Sequence, residues 1–73
     1  MNPESRYSIV IEWSDEDAVF VVTLPEFPGS HTHGATYTEA LANGQTVLAL
    51  LVEAMQQEGH PLPTPARYQP TLA

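Results

Sequence analysis

His31 and His33 are the residues of this sequence with the most evident capacity for chemistry. Side chains two positions apart on a strand project to the same side, so the pair presents two imidazoles of the kind that hold zinc or copper. A third ligand has no ready source. His60 lies beyond the helical segment, and the chain has no cysteine, which removes thiolate metal sites and disulfides together. We therefore expect no metal centre, with both histidines facing solvent or an interface.

Ser14, Ser30, Thr32 and Thr36 lie near histidines in the sequence. None of them stands on a strained elbow beside a base and an orienting acid, the arrangement that nucleophilic catalysis demands. Asp15-Glu16-Asp17 lacks the spaced oxygen ligands and terminal glutamate of a calcium-binding loop and reads as a solvated turn. A glycine-rich phosphate loop and a basic stacking platform are also missing. The residues point to no catalytic group and no cofactor.

Charge is more informative. Nine Asp and Glu stand against Arg6 and Arg67, giving a net charge of −7 with no lysine. Nucleic-acid affinity is supplied largely by Lys and Arg neutralising phosphates, so direct DNA or RNA binding is not expected. An anionic membrane surface is disfavoured on the same grounds. A basic protein would be attracted and its approach accelerated. The acidic hairpin end is the expected electrostatic footprint, which makes Glu12, Asp15, Glu16, Asp17 and Glu26 the expected contacts for such a partner.

The elements that position these groups follow from periodicity. Tyr7, Ile9, Ile11 and Trp13 alternate with Ser8, Val10 and Glu12, the period-two pattern of a strand. Asp15 to Asp17 turns the chain, and Ala18 to Leu24 is rich in β-branched residues, completing an antiparallel hairpin. Phe20, Val22 and Leu24 fall on one face; Val19, Val21 and Thr23 fall on the other with Val10. One helix can cover only one of these faces. The second face, or an exposed edge, is then a contact surface.

Pro25-Glu26-Phe27-Pro28-Gly29 interrupts the ladder and should reverse the chain around a buried Phe27. Phe27 and Trp13 are both expected in the core. Ser30 to Ala35 forms a short third strand with Gly34 at a bulge or close approach.

Thr36-x-x-Glu39 has the form of a capping box and opens a helix spanning Tyr37 to Glu58. Tyr37, Leu41, Leu48, Leu51, Val52 and Met55 share one helical face with Gly44. Gly59 and Pro61 stop the helix. His60 to Pro65 reads as an extended connector, and Ala66 to Gln69 as a short fourth edge strand limited by Pro70.

The expected fold class is thus α+β: an antiparallel three-stranded meander, one amphipathic helix and a short edge strand, in a single domain over residues 1–73. With 73 residues, such a chain removes only roughly 60–65% of its unfolded surface from water. Self-association is the expected support for so small a core. No stretch is apolar enough to span a membrane, and Met1 to Arg6 lacks the order of a signal peptide, so a cytoplasmic location is expected.

In order, the informative segments are Tyr7-Ser8-Ile9-Val10-Ile11-Glu12, Phe20-Val21-Val22, Leu24-Pro25-Glu26-Phe27-Pro28-Gly29, Thr32-x-Gly34-x-Thr36, Glu39-Ala40-Leu41 and Gly59-x-Pro61-x-Pro63-x-Pro65. Their sequence and spacing resemble the HicB-type antitoxin domain over about residues 6 to 65. The resemblance implies a β-β-β-α-β domain with a partial ribonuclease-H-like fold that lacks that enzyme's catalytic carboxylates. It also implies self-association and binding to a small basic mRNA-cleaving toxin of the HicA type, whose active surface the antitoxin blocks.

The match has departures. Ser30 stands where a cysteine is common, and Ala35 where an aspartate is common. Family members often continue into a helix-turn-helix or ribbon-helix-helix segment that binds promoter DNA, whereas this sequence stops at Ala73. The rival reading is an orphan structural or accessory homo-oligomeric domain without a toxin. The discriminating feature is a toxic basic protein in the adjacent reading frame.

Overall fold

The computed structural model describes residues 3–68. A single 3₁₀ turn at Pro3–Arg6 leads into three strands, β1 (Val10–Ser14), β2 (Val19–Thr23) and β3 (His31–Gly34), followed by one helix, α1 (Tyr37–Gln57). The strands form an antiparallel sheet in the order β1-β2-β3, so the expected α+β meander with one helix is what the chain adopts. The strands are shorter than the alternation suggested. Tyr7 and Ile9 precede β1 yet still pack into or against the core.

Each connection has a local cause. Between β1 and β2, the Ala18 amide donates to the Ser14 carbonyl at 2.8 Å and the Asp17 amide to Ser14 Oγ at 3.2 Å. Closing this turn places Ala18 at φ +55°, a left-handed conformation that costs an L-residue about 1–2 kcal/mol. Ala18→Gly removes that cost while enlarging unfolded-state freedom by about 0.4–1 kcal/mol. The net expectation is stabilisation of roughly 0.5 kcal/mol, seen as a higher urea midpoint; a lower midpoint would contradict it.

After β2, the Phe27 amide donates to the Leu24 carbonyl at 2.9 Å and the Ser30 amide to the Phe27 carbonyl at 3.0 Å. Gly29 takes φ +86° in this reversal. Phe27 is buried there, its ring edge-on to Tyr7 at 5.0 Å.

Helix α1 is capped at both ends by its own sequence. Thr36 Oγ1 accepts from the Glu39 amide at 3.0 Å. The reciprocal bond is displaced by one residue from the standard box: Glu39 Oε1 accepts from the Ala35 amide at 3.0 Å. At the other end Gly59 adopts φ +73°, its amide donating to the Gln56 carbonyl, and the His60 amide reaches the Met55 carbonyl at 2.9 Å. This is a Schellman stop.

The register puts Ile11, Val22 and Thr32 abreast, and likewise Trp13, Phe20 and Gly34, on the face that α1 covers. The core is Tyr7, Val22, Leu24, Phe27, Ala40, Leu48 and Val52. Ala40, Gly44, Leu48 and Val52, four apart, form the buried line of the helix. Gly44 lets that line approach: a Cβ there would lie 2.9 Å from Val22 Cγ1.

Three expectations are corrected. Tyr37 and Leu41 are 65% and 42% exposed rather than buried, and Tyr37 lies against the Phe20 ring instead of entering the core. Trp13 is 51% exposed because it stands on the edge strand β1, while α1 packs chiefly over β3. The fourth edge strand does not form at Ala66 to Tyr68, where the chain has no strand partner; Gln69 and Pro70 lie outside the described residues. Among the described residues, no helix is long and apolar enough to cross a membrane.

Candidate functional site

The face of the sheet opposite α1 has no layer over it among the described residues. Across the strands, Val10 pairs with Thr23 and then His31, Glu12 with Val21 and then His33, and Ser14 with Val19. Val19 and Val21 form an apolar floor, rimmed by His31, His33 and Asp17, around a depression of about 470 Å³. A shallow valine floor with a polar rim suits contact with another protein surface.

His31 and His33 do share this face, as their spacing dictates. His60 is remote in role: it sits past the end of α1, with Nε2 4.0 Å from Glu58 Oε1 in an exposed pair. Among the described residues, no three His, Asp or Glu side chains gather to hold a metal ion.

The acidic residues divide into two groups. Asp15, Glu16 and Asp17 are exposed in the β1–β2 turn, and Glu12 is exposed at the middle of β1, opposite Val21. Asp15 is fixed by the indole of Trp13, whose Nε1 donates to Oδ1 at 2.7 Å. Beside it, Trp13 meets Phe20 edge-on at 5.1 Å, and Phe20 lies against Tyr37 at 4.2 Å. This ring cluster at the hairpin tip was hidden in the sequence, where Trp13 and Tyr37 each read as core positions.

Glu26 lies at the opposite end of β2, in the Pro25 to Gly29 turn, and its carboxylate is engaged internally. It accepts from the Ser8 amide at 3.1 and 3.3 Å, from Ser8 Oγ at 3.1 Å and from the Ala66 amide at 2.8 Å. With Tyr7 Oη donating to the Pro63 carbonyl at 2.6 Å, these bonds hold the Pro-rich segment against the start of the sheet. Burial by itself would raise the Glu26 pKa, but the bonds from Ala66 and Ser8 outweigh it and hold it below 4.5.

A depressed carboxylate pKa stabilises the fold above its unfolded value, and that contribution is lost as pH falls through the lower folded value. Glu26→Gln should therefore cost about 1 kcal/mol at pH 7, since one amide oxygen cannot replace two charged ones. The gap between variant and wild type should close as pH drops below 4.5. Urea unfolding at neutral and acid pH measures both; a gap that persists in acid would show that the charge is not what matters.

Comparison with known proteins fits this geometry. Residues 7–72 match the model of the HicB_like antitoxin of bacterial toxin-antitoxin systems. The chain is also similar to the UPF0150 protein Ta0767 of Thermoplasma acidophilum, with 33% identity over 58 residues, 80% of this chain and 83% of the relative. No solved structure matches the chain. A family match across nearly the whole domain, on a meander-and-helix fold with an uncovered sheet face, identifies the chain as a member of the HicB-like antitoxin family of bacterial toxin–antitoxin systems.

Proposed function

We propose that this chain neutralises a small, basic, mRNA-cleaving toxin of the HicA type by binding it, without a cofactor and without catalysing a reaction. The observation that carries this reading is the juxtaposition of an exposed acidic hairpin tip with an uncovered valine face. The acids draw a cationic partner in, and the apolar floor supplies area that becomes dry on contact. A chain of net charge −7 also competes poorly for the toxin's RNA substrate but well for the toxin's own basic surface. The site of action follows the toxin's substrate, which places both proteins in the cytoplasm.

The test is co-expression with the product of the adjacent reading frame, which on this reading is a small basic protein. Expressed alone, that protein should arrest growth; together with this chain, growth should recover and the two should co-purify. Persistent arrest in cells that accumulate the folded antitoxin would overturn the reading.

The same valine face supports self-association of the free protein, because Val10, Val19 and Val21 otherwise remain in contact with water. Light scattering should then give a mass above that of the 8.0 kDa protomer. Substituting Val21→Lys should reduce it to the protomer mass; an unchanged mass would place the contact elsewhere.

A further inference from the structure

We propose that Trp13, Phe20 and Tyr37 form an aromatic anchor that receives an arginine side chain of the basic partner at the hairpin tip. This deepens the antitoxin reading and rests on it. The three rings are in continuous contact, with centroids 5.1 Å apart between Trp13 and Phe20 and 4.2 Å apart between Phe20 and Tyr37. Yet Trp13 and Tyr37 remain 51% and 65% exposed, and neighbouring Leu41 is 42% exposed. Half of an indole and most of a phenol facing water are a standing loss that a partner surface would relieve.

The chemistry of the occupant follows from the surroundings. Ring faces attract cations, tryptophan most strongly, and guanidinium stacks on them better than ammonium. The Asp15 carboxylate holds the indole by its N–H, which fixes the ring orientation before any partner arrives. Glu16 and Asp17 follow in the same exposed turn. A cation seated on the rings therefore lies in a field of carboxylates.

Among the described residues, no side chain supplies that cation. The chain's two basic residues, Arg6 and Arg67, flank Ser8 and Ala66, the pair joined by Glu26 at the opposite end of the sheet. Trp and Tyr are also the residue types that most often dominate protein interfaces. Rings held in place, exposed and surrounded by uncompensated negative charge define a site for an incoming arginine.

The chain's one tryptophan is its own reporter. Two probes separate this site from the reading beneath it: octa-arginine, compared with octa-lysine, and the product of the adjacent reading frame, called the co-encoded protein below. Octa-arginine at low salt should shield Trp13 from acrylamide quenching, and Tyr37→Ala should weaken its binding about 2–5-fold. The co-encoded protein should shield Trp13 more fully, and Tyr37→Ala should weaken that complex about tenfold or more. Trp13→Phe, read by calorimetry, should retain part of the affinity. Tyr37 is exposed, so its variant is expected to fold, and melting verifies this.

If the co-encoded protein binds while Trp13 stays as accessible as before, the aromatic anchor is wrong and the antitoxin reading stands. If that protein fails to bind while octa-arginine shields Trp13 better than octa-lysine, the anchor stands and the toxin assignment falls. If neither probe binds, both are overturned.

Discussion

Gly34→Ala is expected to remove most of the stability of this domain, by about 3 kcal/mol. Gly34 is buried in the last position of β3, where the first turn of α1 passes over it. A methyl group there would collide with the Ala40 amide nitrogen and lie 2.7 Å from Ala40 Cα and 2.9 Å from the Glu39 carbonyl carbon. All three atoms are backbone, so no rotamer change relieves the crowding. The helix would have to lift, opening the contacts of Ala40 and Leu48 with the sheet.

Domains of this size hold only about 3–5 kcal/mol in reserve, so the variant should be largely unfolded at room temperature. Gly44→Ala is the instructive contrast. Its methyl would meet side-chain atoms, Val22 Cγ1 at 2.9 Å and Ile9 Cγ2 at 3.3 Å, which can shift. Alanine also gains about 1 kcal/mol of helix propensity over glycine. The Gly44 variant should remain folded. Circular dichroism and urea titration of the two side by side would expose an error in this ranking.

The second large effect concerns association. Glu16→Lys combined with Asp17→Lys should slow binding of the proposed basic toxin by about tenfold at low ionic strength. Both side chains are exposed in the hairpin turn, which is held by the Asp17 and Ala18 amides donating to Ser14 and not by either carboxylate. The folded protein should therefore survive the change. The deficit should shrink as salt rises, because exposed charges are screened over about 10 Å at 0.1 M.

A control separates local placement from total charge. Glu53→Lys with Glu58→Lys alters net charge equally but at exposed sites in the C-terminal half of α1 and at its cap. Stopped-flow association should show the smaller effect there. Equal slowing by both pairs would mean that the hairpin tip has no special part in the encounter.

Much of the architecture was legible in residues close together in the chain. Thr36 and Glu39 announced the helix start, Gly59 its stop, and Pro25 to Gly29 the reversal, because each is decided by backbone hydrogen bonds within a few positions. The burial of strand and helix ends was not legible. Trp13, Tyr37 and Leu41 have the right period for a core, but their exposure depends on where α1 crosses the sheet, and Gly34 sets that crossing by allowing the first turn to come close.

Glu26 shows the same limit for function. Its acidity suggested a role in charge attraction, whereas its carboxylate is occupied by Ser8, 18 residues away, and Ala66, 40 residues away. No local spacing reveals a bond of that range. The absence of the fourth strand at Ala66 to Tyr68 has a related cause: the Ala66 amide finds a carboxylate rather than a neighbouring strand. The hairpin tip acids, in contrast, lie where turn chemistry put them.

The carboxylate that joins Ser8 to Ala66 also closes nearly the whole described chain into one ring. Ring closure over such a length carries a large entropic cost and gains only a few surface hydrogen bonds, so it follows the meander and helix in folding and precedes them in opening. In hydrogen exchange the Ala66 amide should therefore exchange through a local fluctuation, while the Val22 amide, in the fully buried centre of β2, should wait for the whole molecule to unfold. The segment that looks like a strap is a latch that can lift while the hairpin tip stays formed.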